Sequence, residues 1–344
     1  MLSSALTFDD SIMSELNPKK YKDITVSRGA KYHYYFSAPQ GDKPTLLFAH
    51  GYPSLSRDWR AIALPLEELG YGIVVPDMFG YAGTDKPKDP EQYRLKLLCQ
   101  DLVDILDAED VKRVVAIGHD WGSFVVSRIA NYHPDRFAAF ANLAVPYSAP
   151  NPNMNLEDVV GFMTQVLGYN PYGYWFFFNE DDAGDIMVAH LDSSLAISYA
   201  KDQSIWSKIV CPKDSLKQAL LGDYKPPGGH AEFMSKEDIK VHTETFRKYG
   251  LTAPLCYYKC EIPIPDERKV PPLTTPVFFG VGSKDAICTP TIGRLTYASD
   301  PLKDHNVTIK EYDGDHWFVM SHGQEVARDL DAWISTVVVP TLKA

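Results

Sequence analysis

Residues 113–131 read RVVAIGHDWGSFVVSRIAN. After Arg113, residues 114–117 (VVAI) are apolar and mostly β-branched, which is typical of a buried strand. Residues 121–131 space their apolar side chains three and four apart, which is typical of a helix. Between them, Gly118-His-Asp120-Trp-Gly122 predicts a nucleophile elbow, a tight strand-to-helix turn whose small residues permit a strained backbone. An ordinary glycine-rich turn with Asp120 as the helix N-cap would give the same letters.

The same alternation continues on both sides of this turn. Further buried strands are predicted at 45–49 and 72–76, other strands at 276–281 and 307–312, and further helices at 93–106 and 324–337. Strands that alternate with helices form a mostly parallel sheet covered by helices on both faces. The sequence therefore predicts an α/β fold.

The middle of the chain follows a different pattern. A Pro/Asn-rich break, PYSAPNPN, begins at residue 146, and the stretch from about 155 to 260 is helical and rich in aromatic residues. A second break, rich in proline, follows between 262 and 276. We predict a core formed by residues 1–147 and 268–344, with a helical cap at 148–267 inserted into it.

Composition limits the possible partners. The 344 residues carry a net charge of −11 and no run of Lys or Arg, which disfavours nucleic acid and anionic lipid as partners. No apolar run reaches the length of about 18 residues needed for a membrane span. The N-terminus shows no basic region followed by an apolar region, so no signal peptide is expected.

Cofactor and metal motifs are also missing from the sequence. The five cysteines are scattered, and the pair at Cys256 and Cys260 has no partners that would complete a metal set. No G-x-G-x-x-G follows a strand, so no dinucleotide cofactor is expected. Reduced thiols and a cytoplasmic location are the simplest interpretation.

An aspartate at the elbow narrows the chemistry. A carboxylate is already ionised at neutral pH and needs no base to activate it. Attack on an ester or amide would give an anhydride, whereas attack on a saturated carbon with a leaving group gives a stable alkyl ester. The electrophile predicted for Asp120 is therefore an epoxide or an alkyl halide. A histidine is then needed to activate the water that hydrolyses this ester.

The chain offers a base and an orienting acid in the expected order. His316 follows the strand at 307–312, on the loop side of the sheet where sites gather. Asp285 follows the strand at 276–281, which gives the chain order nucleophile, acid, base. Asp313 and Asp315 are alternatives, but residues so close in sequence to the histidine are badly placed to reach its ring.

The ester intermediate also needs donors for its oxyanion. The backbone N–H of Trp121, next to the nucleophile, is one candidate. The other is the backbone N–H of Tyr52, in the His50-Gly-Tyr52-Pro turn that follows the strand at 45–49.

With these residues located, the chain resembles the epoxide hydrolases of the α/β-hydrolase superfamily over residues 20–340. The resemblance includes the stretches GYAGTDKP from residue 80, GHDWG from 118 and GDHW from 314. It implies the α/β-hydrolase fold and two cap tyrosines that polarise the epoxide oxygen, matched here by Tyr174 and Tyr258. Around them, Asn179, Cys256 and Lys259 depart from the usual motifs.

The remaining cap tyrosines are expected to pack or to line the pocket. They include Tyr169 and Tyr172, and outside the cap Tyr312 has the same expected role. Sequence alone does not decide between Tyr258 and its neighbour Tyr257.

The resemblance implies hydrolysis of an epoxide to a vicinal diol. A small lipophilic or aromatic epoxide and water are the expected reactants, bound near Tyr52, Trp121 and Trp175. A haloalkane dehalogenase is the closest alternative, since it uses the same nucleophile and Trp121 and Trp175 are candidate halide donors. A non-catalytic ligand receptor on the same fold is the other.

Overall fold

A computed structural model describes residues 15–149, 155–260 and 274–342. Its centre is an eight-stranded sheet in the order β1-β2-β4-β3-β5-β6-β7-β8. The strands are β1 (Tyr21–Thr25), β2 (Lys31–Ser37), β3 (Thr45–Ala49), β4 (Gly72–Pro76), β5 (Val114–His119), β6 (Ala139–Leu143), β7 (Val277–Gly282) and β8 (Val307–Tyr312). Only β2 runs antiparallel to its neighbours β1 and β4; the other pairs are parallel.

Helices lie between and after these strands. They are α1 (Arg60–Glu68), α2 (Leu95–Ala108), α3 (Trp121–Tyr132), α4 (Leu156–Leu167), α5 (Gly173–Phe178), α6 (Ala183–Ala189), α7 (Leu191–Ser198), α8 (Trp206–Ile209), α9 (Ser215–Leu221), α10 (Lys236–Tyr249), α11 (Thr252–Lys259), α12 (Pro290–Ala298), α13 (Phe318–Ser321), α14 (Gly323–Trp333) and α15 (Val339–Thr341). A π-helical turn, Ile334–Val338, joins α14 to α15.

The predicted α/β class is confirmed, and the centre of the sheet is fully buried. Every residue of β3, β4, β5, β6 and β7 is buried, since helices cover both faces of the sheet there. Such strands are continuous apolar runs. The missed strands β1 and β2 contain polar residues, and Asn142 interrupts the apolar run of the missed β6.

Two predicted helices differ in their limits. The helix expected to begin at Tyr93 begins at Leu95, because Arg94 has an extended backbone with ψ 127° and separates it from a preceding 3₁₀ turn. The helix expected to reach residue 337 is α-helical only to Trp333 and continues as the π turn.

The segment between β6 and β7 contains the helices α4 to α11. In the described part of this segment no strand is longer than the isolated bridge between Ala200 and His230. The predicted cap limits at 148 and 267 stay predictions, and residue 267 lies outside the described residues. Across the three described ranges, no helix is both long and apolar enough to cross a membrane.

Parallel strands bring the predicted residues to one edge of the sheet. Ala49 of β3 pairs with Gly118 of β5, and Gly282 of β7 pairs with Tyr312 of β8. The loops after these four strands therefore begin at the same carboxyl edge, which is where ligands bind in open α/β sheets.

Candidate active site

Asp120 lies between β5 and α3 in a backbone conformation that few non-glycine residues adopt, with φ 54° and ψ −123°. Neighbouring glycines allow the tight turn. A Cβ on Gly122 would lie 1.9 Å from the Ala49 carbonyl oxygen, and one on Gly51 would lie 2.3 Å from Oδ1 of Asp120. The strand, turn and helix thus take the form of a nucleophile elbow, with β3 pressed against it.

The Asp120 side chain is only 13% exposed, and its carboxylate accepts hydrogen bonds. The Tyr52 backbone N–H donates to Oδ1 at 2.9 Å, and the Trp121 backbone N–H also donates to the carboxylate. Burial raises the pKa of Asp120, although His316 and the two amides oppose that rise. The two amides proposed from sequence as oxyanion donors therefore both reach this carboxylate, and Tyr52 does so at Oδ1.

His316 lies between two carboxylates. Its Nδ1 donates to Oδ2 of Asp285 at 2.7 Å, and its Nε2 lies 3.8 Å from Oδ2 of Asp120. The rival acids do not occupy that position: Asp313 pairs with Lys284, and Asp315 accepts a hydrogen bond from the Trp317 backbone N–H. The structure thus brings together the three residues that the sequence placed in three separate loops.

The electrostatics of this group follow from burial and pairing. Burial alone would lower the pKa of His316, but the adjacent Asp285 and Asp120 carboxylates raise it to about 8. Burial would raise the pKa of Asp285, but His316 and the backbone N–H groups of Ile287 and Cys288 lower it. The two N–H groups donate to Oδ1 of Asp285 at 2.8 and 2.9 Å, so this carboxylate stays ionised and holds the imidazole in one orientation.

Three neighbours of this group were not predicted from the sequence. Nε2 of His119 donates to the His316 carbonyl at 2.9 Å, and burial lowers the pKa of His119 to about 3, which keeps it neutral. The His316 backbone N–H donates to Oε1 of Gln203, in the segment between α7 and α8. Nε2 of His50 accepts from the Met78 backbone N–H and fixes the start of the Tyr52 turn. Only His50 and His119, each beside a predicted motif, gave any sequence signal.

Tyr174 on α5 and Tyr258 on α11 face Asp120 from the opposite side. Their ring centroids are 6.0 Å apart, and both side chains line cavities that reach Asp120. Burial raises the pKa of both phenols well above its usual value, and the negative charge of Asp120 adds to the rise. Both phenols therefore stay protonated and can donate a hydrogen bond to an oxygen held near Asp120.

Tyr257 has different surroundings. Its ring packs against Tyr81, Tyr93 and Trp121, and its buried hydroxyl has no hydrogen-bond partner. It lines neither of the two cavities that reach Asp120. This placement favours Tyr258 over Tyr257 as the second phenol.

The other candidate residues also lie at these cavities. Tyr52 lines the smaller cavity, and Trp121 and Trp175 line the larger one together with Tyr172. The indole N–H of Trp175 donates to the Tyr258 carbonyl at 2.8 Å. Trp175 therefore offers the cavity its ring and not its N–H.

Of the remaining tyrosines, Tyr169 donates to the Ala286 carbonyl and Tyr312 to Asp329. Within the described residues, one group of three side chains has the composition of a metal site: Asp285, Cys288 and His316, whose ligand atoms lie within 4.8 Å of one another. Asp285 and His316 already bond to each other, which is the arrangement an acid–base pair requires. Cys256 and Cys260 do not belong to this group.

Comparisons with known proteins agree with this architecture. Residues 44–221 match the family model described as the alpha/beta hydrolase fold. The crystal structure of epoxide hydrolase A from Mycobacterium thermoresistibile superposes with a TM-score of 0.74 at 22% identity, covering 92% of this chain and 98% of that one.

Curated relatives are also named epoxide hydrolases. Epoxide hydrolase 3 of Siraitia grosvenorii is 29% identical over 267 residues, which are 76% of this chain and 80% of that protein. Bifunctional epoxide hydrolase 2 of Rattus norvegicus is 24% identical over 325 residues, 92% of this chain. The chain spans only 55% of the length of that rat protein. The chain belongs to the α/β-hydrolase fold family and groups there with proteins named epoxide hydrolases, as its sequence motifs predicted.

Proposed function

We propose that this chain hydrolyses epoxides to vicinal diols through a covalent alkyl ester on Asp120. One observation carries the proposal: the Asp120 carboxylate at the elbow, which lines the cavities, faces two protonated phenols, Tyr174 and Tyr258. A nucleophile opposite a pair of acids suits a substrate in which the attacked carbon and the departing oxygen are neighbours, as they are in an oxirane. The names of the relatives support the same activity.

In the first step Oδ2 of Asp120 attacks one oxirane carbon, and the carbon–oxygen bond on that carbon breaks. The released oxygen would be an alkoxide, which leaves poorly unless it is protonated or strongly hydrogen-bonded. Tyr174 and Tyr258 supply that stabilisation, and one phenol gives up its proton. The product is a hydroxyalkyl ester of Asp120.

In the second step His316 takes a proton from water, and the resulting hydroxide attacks the ester carbonyl carbon. The oxyanion forms on Oδ1, to which the Tyr52 backbone N–H already donates, and the Trp121 backbone N–H adjoins the same carboxyl group. Asp285 stabilises the imidazolium meanwhile. When the ester collapses, one of the two water protons ends on the diol, and the proton held by His316 restores the phenol.

Haloalkane dehalogenation is less well supported. A departing halide needs N–H donors, and the indole N–H of Trp175 is already bonded to the Tyr258 carbonyl. The residues around the nucleophile offer two phenols instead, which suit an alkoxide. A non-catalytic receptor would have no use for a buried Asp285–His316 pair behind the nucleophile.

The proposal is tested by a single turnover in heavy-oxygen water. If water attacks the ester carbonyl, the label enters the carboxylate of Asp120, and peptide mass spectrometry locates it there. Label in the diol of that first turnover would mean direct attack by water and would overturn the ester mechanism. Asp120→Ala should form neither ester nor diol. Asp120→Asn is a weaker control, because slow deamidation can restore the aspartate.

We also propose a cytoplasmic location, since all five cysteines are free and buried, as a reducing compartment permits. The proposed reactants are a lipophilic epoxide and water, with no metal or organic cofactor needed by either step.

A further inference from the structure

Two cavities of unequal size meet at Asp120. We call the large arm the cavity of about 440 Å³ whose walls include Trp121, Phe124, Leu156, Val159, Met163 and Trp175. The short arm is the cavity of about 50 Å³ whose walls include Phe178, Met187, Ile197, Trp206, Val210 and Leu216. Asp120, Tyr174, Tyr258 and Ile287 line both arms, so an oxirane held between nucleophile and phenols lies at their junction.

The difference in size decides what each arm can hold. Pockets for drug-sized ligands measure roughly 300–1,000 Å³, and the large arm falls in that range. The short arm is far smaller, so it has room only for hydrogen or a small group such as a methyl. Its walls resist widening because Ile197 and Leu216 are themselves buried, at 2% and 5% exposure.

The charges in the arms exclude anionic substituents. The acidic and basic side chains on the large arm are Asp120 and Asp158, and those on the short arm are Asp120 and His316. Neither arm has a Lys or Arg among its described lining residues. A carboxylate at the far end of a substrate would therefore lose hydration without gaining a cationic partner. Asp158 lies on the exposed side of α4, and its negative charge would repel such a substrate carboxylate.

We propose that the substrate is an uncharged epoxide with one bulky apolar substituent, an inference that rests on the proposed function. That substituent fills the large arm, and the other oxirane carbon carries only hydrogen or a methyl group, which fits the short arm. Epoxides in the middle of a long chain, and epoxides of free fatty acids, are poor substrates.

The first test compares two isomers of equal lipophilicity, the terminal and the mid-chain epoxide of dodecane. An alkyl group that does not fit its pocket changes kcat/KM by roughly 10- to 200-fold. The kcat/KM for the terminal isomer should therefore exceed that for the mid-chain isomer by at least about 10-fold. Equal kcat/KM values, or a preference for the mid-chain isomer, would overturn the proposal.

A matched pair of variants tests the wall of the short arm. Leu216 and Leu220 both lie on α9 and both are buried, but only Leu216 lines the arm. Leu216→Ala should raise kcat/KM for an epoxide with an ethyl or propyl second substituent relative to the terminal isomer. Leu220→Ala should leave that ratio near the wild-type value. The same ratio in both variants would show that Leu216 does not limit the arm.

A second pair tests the charge at the large arm. The substrates are a long terminal epoxide with a carboxylate at its far end and the methyl ester of the same compound. The wild type should prefer the ester by about 5-fold or more at low salt, and Asp158→Lys should narrow the preference. Glu157→Lys is the control, because it makes the same change of charge at an exposed neighbouring residue that does not line the arm. Asp158→Asn serves if the lysine variant does not fold. A wild-type preference for the free acid would overturn this part.

Binding to Asp120→Ala separates this inference from the proposed function. Trp121 and Trp175 line the large arm, so quenching of tryptophan fluorescence reports on its occupation. If the terminal isomer binds more tightly than the mid-chain isomer while the wild type forms no diol, the proposed function fails and the shape of the arms stands. If diol forms but both isomers bind equally, the function stands and the shape argument fails.

Discussion

His316 has a pKa of about 8 because two carboxylates outweigh its burial. Only the neutral imidazole can take a proton from water, so ester hydrolysis should rise as the pH passes through the pKa of His316. Esterification removes the charge of Asp120, which is one of the groups that raise this pKa. The inflection for ester hydrolysis should therefore lie below the pKa of His316 in the free protein. Single-turnover rates against pH, compared with an NMR titration of His316, measure the difference.

Asp285→Asn provides the control for that profile. It removes the carboxylate bonded to Nδ1 of His316, so the inflection should move to still lower pH while hydrolysis slows. His316→Ala should form the ester and stall, and the intact mass should rise by the mass of the epoxide and stay raised. A His316→Ala protein that gains no mass would place His316 in ring opening instead.

Tyr174 and Tyr258 should act on ring opening alone. A hydrogen bond that strengthens in the transition state contributes about 2–4 kcal/mol by analogy with an oxyanion-hole donor, so either Tyr→Phe change should slow ester formation by about 30- to 1000-fold. Stopped-flow measurements of ester formation and ester hydrolysis separate the two steps, and hydrolysis should change much less.

Tyr257→Phe is the matched control for the phenols. Its hydroxyl is buried without a partner and faces neither cavity, so this change should leave ester formation near the wild-type rate. Wild-type rates in Tyr174→Phe and Tyr258→Phe would make these residues packing residues.

Sequence could single out Asp120, Asp285 and His316 because each follows a predicted strand. It could not choose between Tyr257 and Tyr258, because adjacent helical residues differ only in the direction they face. Gln203 gave no signal either: its contact with His316 joins residues 113 positions apart and follows no motif.

Among the elements, the junction of β3 with α3 tolerates the least change. A Cβ on Gly122 would meet the backbone of Ala49 at 1.9 Å, and backbone atoms of a central strand cannot move aside cheaply. Gly122→Ala should lower the free energy of unfolding by about 1–3 kcal/mol or more and displace Asp120. Urea denaturation and the rate of ester formation measure these two effects.

Gly161→Ala is the control within a helix. Gly161 lies inside α4, and a Cβ there would meet nothing within 4 Å. The change should therefore stabilise the protein by about 0.5–1 kcal/mol through the helix propensity of alanine. If both alanine variants lost stability equally, the contact at Ala49 would not be the cause of the Gly122 effect.

At this scale the sequence identified four of the five fully buried strands and also β8, which is partly exposed, but it missed the fully buried β6. β1 has exposed and half-buried residues throughout, and β2 carries His33 and Ser37 among its tyrosines, so neither forms an apolar run. They join the sheet through antiparallel ladders, which are main-chain contacts with no signature in local periodicity.

At the scale of the whole molecule, buried ion pairs connect α10 to α1 and to the residues just before α1. Arg60 donates to both carboxylate oxygens of Asp238 at 2.8 Å, and Nε2 of His242 lies 3.0 Å from Oδ2 of Asp58. Burial alone would lower the pKa of His242 and raise that of Asp58. Their pairing instead raises the pKa of His242 and, with help from Arg60 and the Leu55 backbone N–H, lowers that of Asp58 to about 2.

His242→Gln should therefore destabilise the fold in a pH-dependent way. The raised pKa of His242 contributes stability that is full below about 6.5 and is lost as the pH rises through the folded value. The lowered pKa of Asp58 contributes stability that is present above about 3.9 and is lost as the pH falls. Removing one partner of a buried pair costs about 3–5 kcal/mol. The loss of unfolding free energy in His242→Gln should therefore be largest between these two pH values.

Urea denaturation at about pH 6 and about pH 10 measures this effect, and the difference between wild type and His242→Gln should shrink at the higher pH. His190→Gln is the matched control, because His190 pairs with Asp223 at the surface, where the side chains are 23% and 73% exposed. That change should alter the free energy of unfolding by less than about 1 kcal/mol. A His242→Gln loss that did not vary with pH would point to packing instead of charge.

The hydrogen bond from the Trp175 indole to the Tyr258 carbonyl joins α5 to α11, the two helices that carry the phenols. Asp120, Asp285 and His316 all belong to loops of the sheet. Any motion of the helices that preserves this bond shifts both phenols together, while the three loop residues keep their positions. Under the proposed mechanism, the loops of the sheet would cleave an aspartyl ester of any alcohol. The pair of helices above would then decide which bond is opened to make that ester.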